Sequence, residues 1–117
     1  MMHYKRLAIA LLALVIIAVA ATEAFTQTRI RFAPGRTSAS VTGSLAGGAT
    51  RRFVLGARDG QYLSGNVSSK NGCVKFIGGS TAIDFVTVGG SNYVSITNSC
   101  RSATSFILTV SINSAGN

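Results

Sequence analysis

Between Thr28 and Asn113, apolar side chains recur at every second position, the period of a strand with one face buried. In Thr28–Phe32, Ile30 and Phe32 face one way while Arg29 and Arg31 face the other. Ser38–Leu45 sets Ala39, Val41, Gly43 and Leu45 against Ser38, Ser40, Thr42 and Ser44. Arg51–Ala57 turns Phe53, Leu55 and Ala57 inward, Gln61–Ser68 offers Leu63 and Val67, and Cys73–Ile77 offers Val74 and Phe76. Ile83–Val88 is apolar on both faces, which predicts a central strand or one covered on its second side. Tyr93–Thr97 and Ser105–Asn113 complete the series, the last with Phe106, Leu108, Val110 and Ile112 in one row. Turn signals separate the runs: Pro34-Gly35, Gly47-Gly48, Asp59-Gly60, Asn71-Gly72, Gly78-Gly79 and Gly89-Gly90. No stretch after Ala24 has a capped helical period. The expectation is an all-β domain: a jelly-roll-like antiparallel β-sandwich of about eight strands.

The first 24 residues have a different character. Lys5 and Arg6 close a basic start, and Leu7 to Ala21 form an unbroken apolar run of fifteen residues. As a helix that run rises about 22 Å at 1.5 Å per residue, short of the ~30 Å hydrocarbon core. The expected layout is a helical signal peptide over 1–24 and a sandwich domain over 25–117, secreted or periplasmic. Cleavage after Ala20, Ala21 or Ala24 fits the small residues there, and membrane contact is expected only through an uncleaved leader. Cys73 and Cys100 both lie in the exported part, and an even count in such a domain predicts one disulfide. Closing that loop stabilises the fold by ~3.5 kcal/mol in the chain-entropy model.

Charge and the missing residue types narrow function. Beyond residue 24, seven arginines and two lysines face only Asp59 and Asp84, a net charge of +7. Such a surplus favours anionic partners, among which export makes nucleic acid the least suited, so none is expected. His3 belongs to the leader, so the exported part has no histidine for acid–base work, a catalytic triad or a zinc site. Asp59 falls in the turn Arg58-Asp59-Gly60 and Asp84 beside an apolar strand, a poor basis for paired-carboxylate hydrolysis. No phosphate loop or dinucleotide fingerprint occurs, and no cofactor is expected. The expectation is a protein that is not an enzyme. Arg29 and Arg31 share an outward face, with Arg36, Arg51, Arg52 and Arg58 in nearby turns or strand starts. The planar guanidinium suits carboxylate and phosphate groups.

The segment from Arg29 to Leu45, with its "Val-x-Gly-x-Leu" strand, and the later Phe53-Val-Leu-Gly-Ala-Arg-Asp-Gly-Gln61 resemble a group of exported bacterial β-sandwich domains. That group includes pre-peptidase C-terminal-like domains and the periplasmic inhibitors of goose-type lysozyme. Phe106-Ile-Leu-Thr-Val-Ser-Ile112 looks like the family's closing strand. The resemblance implies a sandwich and, for an inhibitor, a Ser-Gly-x-Tyr loop that blocks an enzyme's cleft. Here the place reads Gly90-Ser91-Asn92-Tyr93: the tyrosine is in register and the Ser-Gly order is reversed. Two functions are therefore expected. The first is an exported, non-catalytic binding module whose basic face meets an anionic envelope glycan or an exported protein. The alternative is a periplasmic inhibitor of a goose-type lysozyme. Candidate contacts are Arg29, Arg31, Arg36, Ser91, Asn92, Tyr93 and Arg101.

Overall fold

The computed structural model describes residues 27–114. The leader, its cleavage sites and the last three residues lie outside that range. Eight strands follow in order: β1 Gln27–Arg29, β2 Ser38–Leu45, β3 Thr50–Ala57, β4 Gln61–Ser69, β5 Val74–Phe76, β6 Ala82–Val86, β7 Gly90–Asn98 and β8 Thr104–Ser114. They form two four-stranded sheets, ordered β1-β3-β7-β5 and β2-β8-β4-β6. Odd strands make the first sheet and even strands the second, so every connection crosses from one sheet to the other. All neighbours are antiparallel except β1 and β3, which run parallel with Gln27 opposite Arg52 and Arg29 opposite Val54.

The inward rows are those that alternation selects. Phe53, Leu55, Val74, Phe76, Val94 and Ile96 of the first sheet meet Leu45, Leu63, Val67, Phe106, Leu108 and Val110 of the second. At one end of this core Phe53 and Phe106 pack edge to face, with centroids 6.3 Å apart. The inward position beside them suits a glycine, since a Cβ at Gly43 would lie 3.0 Å from the Phe106 ring and 3.1 Å from Arg51. Arg51 shares the inward phase of Phe53. Its guanidinium lies 5.5 Å from the Phe106 ring centroid and donates to the Ser44 carbonyl at 2.9 Å, capping the core.

Two local expectations are corrected. Ile83–Val88 is not central, because β6 pairs only with β4 and forms the edge of the second sheet. Ile83 and Phe85 pack on the core, while Val86 and Val88 are 57% exposed. The second apolar row is therefore an exposed one, with Val86 opposite Tyr62 on the outer surface. Gly90 also belongs to β7 rather than to a turn ahead of it, so Tyr93 is the fourth residue of that strand and not its first.

Each end of the sandwich is tied by buried polar groups. At one end Cys73 and Cys100 are disulfide-bonded, their Cα atoms 5.7 Å apart. Beside them Asn98, fully buried, donates to the carbonyls of Leu45 (3.1 Å) and Ser102 (2.8 Å) and accepts from the Cys100 amide at 3.1 Å. The β2–β3 turn docks on the same loop, its Gly48 amide reaching the carbonyls of Asn98 and Cys100. Gly47 must lack a side chain there, since a Cβ would fall 2.0 Å from the Arg101 carbonyl oxygen. At the opposite end buried Thr87 holds the β3–β4 turn through its hydroxyl, bonded to the Arg58 carbonyl (2.6 Å) and the Gln61 amide (3.1 Å).

Candidate functional site

The outer surface of the first sheet gathers most of the residues that charge and resemblance single out. Strand parity sends Gln27 and Arg29, then Arg52, Val54 and Gly56, then Ser91, Tyr93, Ser95 and Thr97, then Lys75, away from the core, and Arg31 is exposed just past β1. Register places Arg29 beside Val54 and Val54 beside Tyr93. The Arg52 guanidinium lies 4.0 Å from the Tyr93 ring centroid, a cation–π stack that limits the rotamers of both side chains. Arg29 reaches along the face toward Gly56, 3.7 Å from where a Cβ would stand. Val54 points outward yet is only 6% exposed, flanked by these long side chains. No carboxylate stands on this face among the described residues. Asp59 lies in the β3–β4 turn, and Asp84 projects from β6 on the outer surface of the other sheet.

The remaining candidates are scattered. Arg31 is exposed two residues beyond Arg29, and Arg36 sits in the turn that its amide closes onto the Ala33 carbonyl at 2.9 Å. Ser91 is exposed near the start of β7. Asn92 faces inward and is 5% exposed; it accepts from the Val88 amide at 3.0 Å and donates to the carbonyls of Val88 (3.0 Å) and Gly90 (3.3 Å). Its amide is engaged by the β6–β7 turn. Tyr93, 46% exposed, stands on a strand face and not on a loop. Arg101 is exposed on the disulfide-bonded loop, at the far end of the molecule from Ser91.

The outer surface of the second sheet is different. Ser38, Ser40, Thr42 and Ser44 of β2 lie in register with Ser111, Thr109, Ile107 and Ser105 of β8, and Ser64, Asn66 and Ser68 of β4 extend the rows. Hydroxyls bond across the strands, Ser40 to Thr109 at 3.0 Å and Ser111 to Ser38 at 3.2 Å. A shallow groove of about 630 Å³ runs past Thr42, Ser68, Lys70 and Ile107. Among the described residues no cluster of three or more metal-ligating side chains exists.

No protein-family model matches the chain, and no curated protein does. Solved structures do match. A periplasmic lysozyme inhibitor of g-type lysozyme from Aeromonas hydrophila superposes with a TM-score of 0.64 at 20% identity, over 76% of this chain and 97% of that one. The chain has that inhibitor's fold. The corresponding inhibitor from Salmonella Typhimurium matches with a TM-score of 0.58 at 16% identity, over 75% and 98% of the two chains. The pre-peptidase C-terminal domain of a Bacillus anthracis collagenase gives 0.53 at 14% identity, over 73% and 94%. Both groups that the sequence resembles thus share the sandwich. Against the inhibitors, the match spans nearly the whole of their chains and leaves out part of this one.

Sequence reasoning missed Arg52, which it assigned to a turn or strand start, and the buried Asn98 and Thr87. Parity held a signal for both arginines. In Arg51-Arg52-Phe53 the first arginine shares the phase of Phe53, so the second must face outward. Nothing in the sequence reported that β3 and β7 are neighbours, which is what brings Arg52 to Tyr93.

Proposed function

We propose that this protein is an exported, non-catalytic inhibitor that occupies the cleft of a lysozyme, in the periplasm of the cell that makes it. The observation that carries the reading is a fold likeness spanning 97–98% of two inhibitor chains. Composition agrees: residues 27–114 contain no histidine, and their two carboxylates sit on separate elements. A cleft is entered by a protruding end rather than by a flat sheet. The end formed by residues 46–49, 70–73 and 99–103 is the better plug, because the disulfide and Asn98 fix its loops before any partner arrives. Arg101 is exposed on that end and suits the carboxylates of a glycan-cleaving enzyme.

The test is a panel of chicken-type, invertebrate-type and goose-type lysozymes, assayed by clearing of a peptidoglycan suspension. Stoichiometric amounts of the processed protein are expected to abolish the goose-type activity. The strongly basic chicken type is expected to be spared, since like charges repel. Arg101→Ala is expected to weaken inhibition by about tenfold, the scale of one charge-assisted contact. Tyr93→Ala should change it less than Arg101→Ala does. If no lysozyme of the panel is inhibited, the reading is wrong. A second reading, contact with an anionic partner through the basic face, is favoured by the absence of carboxylates among the described residues of the first sheet's outer surface.

A further inference from the structure

The cations on that outer surface are ordered, not merely abundant. Arg29 ends β1, with Arg31 exposed two residues past it; Arg52 lies on β3 and Lys75 on β5, and from Arg29 onward each step moves back along the register as it moves across the sheet. Arg29 is opposite Val54, two residues past Arg52, and Lys75 is level through Thr97 with Thr50, two residues before it. With strands about 5 Å apart and residue pairs about 7 Å along a strand, the successive Cα separations are about 7, 8 and 12 Å. The result is one oblique row from β1 to β5, with β7 between them contributing no cation. Tyr93, Ser95, Thr97 and Thr50 flank the line with hydroxyl groups on the same face.

From this we infer that the outer face of the first sheet is a docking track for a linear, carboxylate-bearing polysaccharide. This goes beyond cleft inhibition and does not depend on it. A line of separated cations matches an extended polymer with a charge every one or two sugar units better than a compact anion, which needs donors converging on a point. The flanking hydroxyls match sugar hydroxyls. Among the described residues no acid stands on the face, so an incoming polyanion displaces no internal ion pair there and meets no like charge. The Arg52–Tyr93 stack holds one of the four cations in place beforehand, which lowers the ordering cost of binding.

The test uses a galacturonate oligosaccharide long enough to cross the sheet, titrated into the processed protein at low and at high salt. Two triple variants remove equal charge: Arg29→Gln/Arg52→Gln/Lys75→Gln along the line, and Arg36→Gln/Arg58→Gln/Lys70→Gln away from it. All six side chains are exposed, and circular dichroism with a melting curve checks that both triples fold. The parent protein is expected to bind, with affinity falling steeply as salt rises. The line triple is expected to lose more than about tenfold and the other triple less than about threefold, because screening weakens charges more than a Debye length away. Equal losses in the two triples overturn the track, since net charge alone would then account for binding. No binding at low salt overturns it too, as does equal affinity for a neutral oligosaccharide. Tighter binding of polyphosphate or single-stranded DNA than of the oligosaccharide overturns the assignment to a carboxylated glycan. Lysozyme inhibition by the line triple, measured in parallel, keeps the two functions separable: the track requires polymer binding to fall whether or not inhibition survives.

Discussion

The two ends of the sandwich are closed by different chemistry. At one, three turns converge on a covalent bond between Cys73 and Cys100 and on the side chain of Asn98, which serves β2, β7 and the loop that follows it. At the other, hydrogen bonds with no covalent link hold the turns among the described residues: the Thr87 side chain and backbone reach across to the β3–β4 turn at Arg58, Gly60 and Gln61, while Asn92 folds the β6–β7 turn back on itself. The difference is one of what fails first. A hydrogen-bonded end opens locally when a few bonds break, whereas a cross-linked end stays closed until the strands beneath it separate. Surfaces that must keep their shape without a partner belong on the cross-linked end, and Arg101 is there.

The largest break in this comparison is the disulfide itself. Cys73→Ser with Cys100→Ser is expected to cost about 3.5 kcal/mol, the chain-entropy figure for a separation of 27 residues. For a domain of this size that corresponds to a fall in melting temperature of about 15–25 °C. Thermal melts of the two proteins measure it. Hydrogen exchange gives the sharper reading: the amides of Gly48 and Cys100 should exchange more slowly than those of Gly60 and Val88 in the parent, and that gap should close in the double serine variant. A gap that survives would mean that Asn98 and its neighbours, not the sulfur bridge, make the end rigid.

Asn98→Ala comes next, at about 2–3 kcal/mol. It leaves the Leu45 and Ser102 carbonyls and the Cys100 amide without their partner in a place from which water is largely excluded. Urea unfolding gives the value directly, and a loss below about 1 kcal/mol would show that the disulfide alone sets the loop. An unchanged slope with denaturant is expected, because the denatured chain is the same size.

These residues also mark where the sequence could and could not be read. The eight strands were legible because alternation reports burial one residue at a time, and a sandwich buries one row of each strand. Order within the sheets was not legible: a parity pattern is identical whether β6 lies at the centre or at an edge, and whether β1 runs parallel or antiparallel to β3. The buried asparagines stood between these cases. Asn92, Val94, Ile96 and Asn98 share one parity, so the phase of β7 pointed both amides inward. What hid them is that a polar residue at a strand end normally faces water. The candidate site followed the same rule. The outward phase of Arg29, Arg31 and Tyr93 could be read from their own strands, but the line they make with Arg52 and Lys75 depends on which strands are neighbours. That is long-range pairing, which local pattern does not encode.

Thr87→Val is the smallest of these changes and tests the other end most cleanly. The substitution keeps shape and β-branching, so packing changes little. It removes one hydroxyl that donates to the Arg58 carbonyl and accepts from the Gln61 amide, and both groups then face a methyl. The backbone bonds between Thr87 and the Gln61 and Gly60 positions remain, so the turn keeps its path. The expected cost is about 1–2 kcal/mol, with Thr87→Ser recovering most of it because the oxygen is restored. Because Thr87 and Asn98 share no partner, the double variant with Asn98→Ala should show additive losses to within about 0.5 kcal/mol. Strong non-additivity would mean that the two ends communicate through the sheets, and the contrast between a covalent end and a hydrogen-bonded end would then describe one cooperative unit rather than two independent closures.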